Sequence, residues 1–498
     1  MQKVVIVGAG VSGLTSGILA LRKGFDVVIY EKSNQAGGNL TSWKRDNLII
    51  DGCIHWLTGT NENTSTYKLW KEVGAFDDHE ILKLDRLFTN YNGLEKATLY
   101  RDIDKTEQSL IALSKEDEKQ IKSFILAVKK MQYILGVGGE SYSKKANIKD
   151  LVSFIPQLLK YYNLNLFNLS KKFNNKTISG LFTNFIGGQF SSLALILTYA
   201  NFISGNADLI KSGSKKMADN LVNTYLSLGG KLVLRKGVKK ANIIKDKVVS
   251  ITLDDNSQVY LDYLIPTGDA KFIYNDLLNA PMPQNLKKWY NNKDALQFSS
   301  LGIAFKVDKD KVPFKVDCSF SIPLKYKCLL RVNHINLREY SYDDTFIKDG
   351  KTVLQTLTFL SEEESLKFIN LRKDYTQYKI EKDRICNLYK SCIETVIPSL
   401  KGCLEVIDCW TPATYKRYNF SKIGSWMSFV IPKKTIPLRC SNRVKGVKNV
   451  IIASQWLSPP GGLPISLEQG NNAVKSLINL AKKQKAHKLK LQTARNGN

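Results

Sequence analysis

Histidine is scarce in this chain, with four in 498 residues, and a multi-histidine metal centre is not expected from so few. The eight cysteines (Cys53, Cys318, Cys328, Cys386, Cys392, Cys403, Cys409 and Cys440) include no C-x-x-C pair and no Cys/His metal spacing. The N-terminus does not read as a secretory signal, so these thiols are expected to be reduced and mostly structural in a cytosolic protein. No metal is expected. No nucleophile triad or paired carboxylates are visible either, nor a helix-turn-helix, zinc-finger or RNA-binding signature, so no nucleic-acid partner is expected. Acid is in deficit, with 45 Asp and Glu against 73 Lys and Arg, a net charge of +28. That surplus fits a lysine-rich coding bias or attraction to an anionic membrane face. Long apolar runs are absent too. Residues 177–207 carry no charge, but Asn184, Gly187, Gly188, Gln189, Ser191, Ser192 and Asn201 interrupt them. The pieces are too short and polar to cross hydrocarbon, and a buried helix pair lining an apolar cavity is expected instead.

Glycine, by contrast, is well placed. The apolar run at residues 4–7 stops at Gly8-Ala9-Gly10-Val11-Ser12-Gly13. A helical period follows (Val11, Leu14, Ile18, Leu21), then Gly24, then a second apolar run ending at Glu31. This predicts strand, tight turn, helix, strand. Gly8 suits the sharp turn, Gly10 the approach of a pyrophosphate, and Gly13 close packing of helix on strand. The phosphates would sit on unpaired N–H groups at the positive end of the helix dipole. Glu31 is spaced to accept from a ribose hydroxyl, with Lys32 beside it. A dinucleotide is the expected ligand.

Behind Glu31 comes a second glycine pair, Gly37 and Gly38, and then Asp51-Gly52 with His55-Trp56. His55 is the candidate for proton handling, against a packing role. Asn92-Gly93 marks a hairpin, and Ser114 with Asp117 a capping box opening a helix that runs to about Met131. Residues 151–173 are aromatic, leucine-rich and basic at their ends, as in an amphipathic helical pair on a membrane or over a core. Ser212-Gly213-Ser214 leads into a helix over 215–228. Short strands are expected from 232, at 238–243 and 248–253, and as one piece over 259–265. Residues 296–440 alternate strands with a helix near 379–396. The closing segment, 450–464, repeats the opening device, with Gln455-Trp456, then Gly461-Gly462-Leu463-Pro464 and a helix over 465–481. The tail from 482 has six Lys and Arg and no acid, which reads as a frayed end.

In this order the glycine motifs, Glu31, the 37–38 pair, His55-Trp56, Val238, Thr411-Pro412 with Arg417-Tyr418, and the closing turn resemble the phytoene desaturase family. That family holds retinol saturases and plant-type carotene isomerases, among the amine-oxidase-like flavoproteins. The resemblance implies an α/β fold: a Rossmann-like FAD-binding domain with a βαβ N-terminus, a small β-meander and an inserted α+β substrate or cap domain. The FAD-binding domain would be discontinuous, over 1–80, 205–295 and 445–498, with the cap over 81–204 and 296–444. Ser12 and Gly13 would hold pyrophosphate, and Val238 would contact adenine. Gly37 and Gly38 would lie near the pyrophosphate or flavin edge, and Gln455, Gly461, Gly462 and Leu463 at the flavin end. Many relatives have Arg where this chain has Asn39, and Asp where it has Gln455. The implied activity is hydride transfer between flavin and a C–C bond of an apolar isoprenoid or polyene, in the cytoplasm or on the inner face of the membrane. A flavin amine oxidase, with Trp56, Trp426 and Trp456 as cage walls, is the second enzyme reading. A basic flavoprotein that binds membrane or nucleic acid without turnover is the reading from another class. Monomer and dimer stay open.

Overall fold

The computed structural model describes residues 1–134, 148–313, 319–324, 333–419, 421–435 and 439–496; Cys318 and Cys328 lie outside them. Strand β1 (Lys3–Val7), helix α1 (Val11–Leu21) and strand β2 (Asp26–Tyr30) form the expected βαβ unit. Val4, Val5 and Ile6 are fully buried. A strand inside a parallel sheet is covered on both faces, so its sequence is continuously apolar rather than alternating. β1 lies between β2 and Tyr263–Pro266, with Lys231–Val233 beyond β2, all parallel.

Two strand expectations need correction here. The segment near 232 belongs to this sheet and not to the meander. The run at 259–265 is two strands: Gln258–Tyr260 completes a three-stranded antiparallel sheet with Val238–Ile244 and Lys247–Leu253, and Tyr263–Pro266 joins β1. At the break, Lys3 N donates to Asp262 Oδ2 and Asp262 N to the Lys3 carbonyl, at 2.7 and 2.9 Å. Those bonds draw the chain from one sheet into the other.

Helix α1 is buried along nearly its whole length, packed on helix Gly213–Ser227 and the closing helix Leu463–Asn496. A Cβ on Gly17 would lie 2.7 Å from the Tyr225 ring, and one on Gly470 2.7 Å from Thr15. Only glycine lets the three helices approach so closely. The closing helix starts two residues earlier than expected and runs on to Asn496, so the tail is helical where fraying was expected. Residues 482–496 are lysine-rich, with good helix formers and no Gly or Pro.

The second large sheet has seven strands in the order Glu405–Trp410, Ser299–Asp308, Lys351–Leu360, His334–Glu339, Ser319–Pro323, Arg86–Asn92, Glu95–Tyr100. The last two are the expected hairpin, joined to the others through Thr89 beside Phe320. Helix Lys176–Asn184 packs on that hairpin and, with Glu118–Ile134 and Ser192–Ile203, encloses a core around Phe124, Phe182 and Tyr199. The box expected at Ser114 does not form. The Ser114 hydroxyl donates to the buried Asp117 carboxylate, which accepts instead from the N–H groups of Asn174 and Asn175 at 2.7 and 3.0 Å. A capping box does form at Ser361 and Glu364. Among the described residues no helix is long and apolar enough to cross a membrane.

Candidate functional site

The opening and closing glycine turns face one cavity of about 860 Å³. Helix α1 has Gly10 at its N-cap, no side-chain cap and no acid in its first turn. Its first N–H groups and positive dipole end are therefore left for an anion. A Cβ on Gly10 would stand in the cavity with only the Gly38 Cα, at 4.0 Å, beside it. That space is kept for a group the chain does not supply. Gly13 is glycine for a different reason. A Cβ there would lie 2.0 Å from the Gly8 carbonyl oxygen, and unlike Gly8, Gly10 and Ser12 it is not on the cavity wall.

Glu31 accepts from Ala9 N at 2.7 Å and Ser33 N at 2.8 Å. Those bonds brace the turn and leave lone pairs free for a ribose hydroxyl. Lys32 and Val238 line the same end. Gly37 N donates to the Ala9 carbonyl at 2.8 Å, which docks the second glycine pair on the first turn.

At the far end Gly461 and Gly462 have φ of 82° and 99°, in the region that favours glycine. Gln455 accepts from Gly462 N at 2.6 Å and donates to the Trp426 carbonyl at 3.3 Å. Asn39 donates to the same carbonyl at 3.2 Å. Asn39 and Gln455 thus meet on one oxygen, and together they lock the 37–38 loop to the closing turn. Gln455 lines the cavity, but its amide is engaged in shaping that turn. Leu463 follows at the start of the closing helix and also lines the cavity.

Between the two turns, buried Asp51 accepts from Ser214 N at 2.7 Å, Ser214 Oγ at 2.5 Å and Cys53 N at 2.9 Å. This fixes the loop that carries His55 and Trp56 to the cavity wall. Burial, with the Arg338 charge as the lesser cause, depresses the His55 pKa to about 3. At neutral pH the ring is uncharged. In that state it donates one hydrogen bond and accepts another, and it is a weak base rather than an acid. Trp56 packs on Phe185 with ring centres 5.1 Å apart, and Trp426 lies on the cavity wall. Trp456 does not line it. It is 3% exposed, in the core, stacked on Tyr290 at 5.8 Å. The three tryptophans do not form one cage.

The rest of the cavity has two unlike walls. Phe88 from strand Arg86–Asn92, Phe185, Ile186 and Phe190 from the turn between helices Lys176–Asn184 and Ser192–Ile203, and Ala194 and Leu197 from the second of those helices make one. Ser300, Asn336, Arg338, Gln355, Leu357 and Phe359, from the seven-stranded sheet, make the other. No motif in the sequence announces Arg338 or Gln355. Only strand register brings them together, with Arg338 directly opposite Gln355.

Residues 6–73 match the NAD(P)-binding Rossmann-like domain family. The chain is similar to the 4,4'-diaponeurosporene oxygenase of Staphylococcus haemolyticus, 21% identical over 494 residues, covering 93% of this chain and 94% of the relative. A 1-hydroxycarotenoid 3,4-desaturase from a Flavobacterium is 24% identical over 311 residues, 60% of this chain and 63% of that one. An oxidoreductase from Methanosarcina mazei has a similar structure, with TM-score 0.61 at 15% identity over 96% of this chain and 100% of the other. Putrescine oxidase bound to putrescine gives 0.55 at 13% identity, over 96% and 99%. The chain has the α/β, Rossmann-like fold of the amine-oxidase-like oxidoreductases.

Proposed function

Starting from an FAD-dependent oxidoreductase with a Rossmann-like domain, we propose that this chain moves hydride between flavin and a carbon–carbon bond of a long apolar polyene, carotenoid- or retinoid-like. The observation that carries this reading is the continuity of the cavity. A cradle built from backbone runs directly into a pocket walled by Phe88, Phe185, Phe190 and Leu197. The carotenoid-processing relatives support it. In this reading Gly10 and Ser12 meet the pyrophosphate, Glu31 the adenosine ribose and Val238 the adenine. Gly461, Gly462 and Leu463 meet the flavin end. Bound FAD supplies hydride exchange at N5. The chain holds it along its length, excludes water with the aromatic wall and lays the polyene against it. A guanidinium on the opposite wall opposes a cationic amine substrate.

The same reading gives the substrate a route in. Val152, Ile155 and Leu159 are 58%, 48% and 59% exposed along helix Ile148–Tyr162, at a spacing that makes one stripe. Phe167 is exposed on the next helix, Leu166–Ser170, and packs on Gly188, two residues from cavity-lining Phe190. Lys160, Lys171 and Lys172 are exposed on the same stretch of chain. In this reading the stripe rests in the interface of the membrane's inner leaflet, with the lysines among its headgroups.

The purified protein is expected to be yellow, or to take up FAD and become so. A colourless preparation that binds no FAD overturns the proposal. Incubated without oxygen with polyenes, retinoids and amines, the loaded protein is expected to exchange electrons with a polyene or retinoid. A response to amines alone contradicts the reading.

A further inference from the structure

A hydrocarbon substrate has no use for the wall that the seven-stranded sheet presents to it. Arg338 and Gln355 are opposite each other on neighbouring antiparallel strands, so both side chains leave the same face. They line the cavity and are 4% and 3% exposed. Gln355 Nε2 donates to the Asp51 carbonyl at 2.8 Å, which fixes the amide through its nitrogen. Its Oε1 is buried and accepts no hydrogen bond. One pair along the same face, Asn336 lies opposite Leu357 and repeats the pattern. Its Nδ2 donates to the Asn184 carbonyl at 2.7 Å, and its Oδ1 is buried without a donor. Buried amide oxygens in this state are rare in native interiors. Here two stand on a cavity wall, with the N–H groups of a buried guanidinium in the same row.

We infer that this row is a subsite for an oxygen function on the substrate, held by Arg338 as donor and Gln355 as acceptor. A hydroxyl can engage both: its oxygen accepts from the guanidinium and its proton goes to Gln355 Oε1. A carbonyl can engage Arg338 alone. The substrate is then an oxygenated polyene, with its chain on the phenylalanine wall and its oxygen on the sheet wall. This inference rests on the polyene reading above and narrows it.

The test uses FAD-loaded, full-length protein and one linear polyene prepared as hydrocarbon, primary alcohol and aldehyde. Dissociation constants are read from quenching of tryptophan fluorescence. The alcohol is expected to bind about tenfold or more tighter than the hydrocarbon, because a site built to hydrogen-bond an oxygen rejects the analogue lacking it. Arg338→Met and Gln355→Leu should each shrink that ratio, with hydrocarbon affinity kept within about twofold and flavin content unchanged. An aldehyde that binds as tightly as the alcohol supports the subsite with Arg338 as the main partner. Equal affinity for all three forms overturns the subsite and leaves the polyene reading standing. Binding of none of the three by flavin-loaded protein sinks the polyene reading itself. Selectivity that survives in both variants overturns the assignment to these residues. If Arg338→Met does not fold, the wild-type ratio and Gln355→Leu decide.

Discussion

At the opening turn, the groups that face the cavity are backbone N–H donors and an open space over Gly10. At the sheet wall they are a guanidinium, two amides and a serine hydroxyl, brought together by strand register. The opening turn depends on side chains being absent, and the sheet wall on which side chains are present. An added Cβ should therefore be ruinous at the first and tolerable at the second. Removing a functional group should do the reverse, with Glu31 and Gln455 as the exceptions that brace backbone.

Gly13→Ala should have the largest effect. Its Cβ would lie 2.0 Å from the Gly8 carbonyl oxygen, so α1 must move off the turn. Overpacking of this kind costs about 1–3 kcal/mol or more. The purified variant is expected to carry almost no flavin, read from its visible absorbance, and a normal flavin content would break the comparison. Glu31→Ala comes next, losing the bonds to Ala9 and Ser33 together with the proposed ribose contact. Hydrogen bonds to a charged group are worth about 1.5–3 kcal/mol each, so the FAD dissociation constant should rise tenfold or more, measured by titration of the apoprotein. Gln455→Leu leaves Gly462 N without its acceptor, a loss of about 1–3 kcal/mol. Thermal unfolding should show it as a lowered midpoint, with FAD bound more weakly but still bound. His55→Gln should have the smallest effect. A ring with pKa near 3 stays neutral from about pH 5 to pH 8, so the pH dependence of turnover should keep its shape. A pH limb that disappears with this substitution would assign proton handling to His55.

The same contrast explains what could be read from the sequence. The cofactor turn was legible because everything it needs is local: glycines at fixed spacing, a β-branched strand before them, a helical period after. Gly461 and Gly462 were legible for that reason too. The uncharged segment at 177–203 was readable as buried from its composition, but only its second helix and the turn before that helix line the cavity, where a lining helix pair was expected. Arg338 and Gln355 were not legible, because pairing partners are chosen by sheet register and no spacing rule reaches between them. Ser114 failed in the same way. Four residues carried the box pattern, but Asp117 was claimed by Asn174 and Asn175, far along the chain. The run at 259–265 looked like one strand because a β pattern does not record the change from one sheet to another.

The most direct test of a two-part cavity uses Ala194, which lines the phenylalanine wall on helix Ser192–Ile203, far from either glycine turn in sequence. In the wild-type holoprotein, added polyene should perturb the flavin absorption band, because chain and cofactor share one space. In Ala194→Trp the indole fills the substrate end, so FAD uptake should stay normal and the polyene response should vanish. An unchanged polyene response in the flavin-loaded variant would contradict the shared cavity.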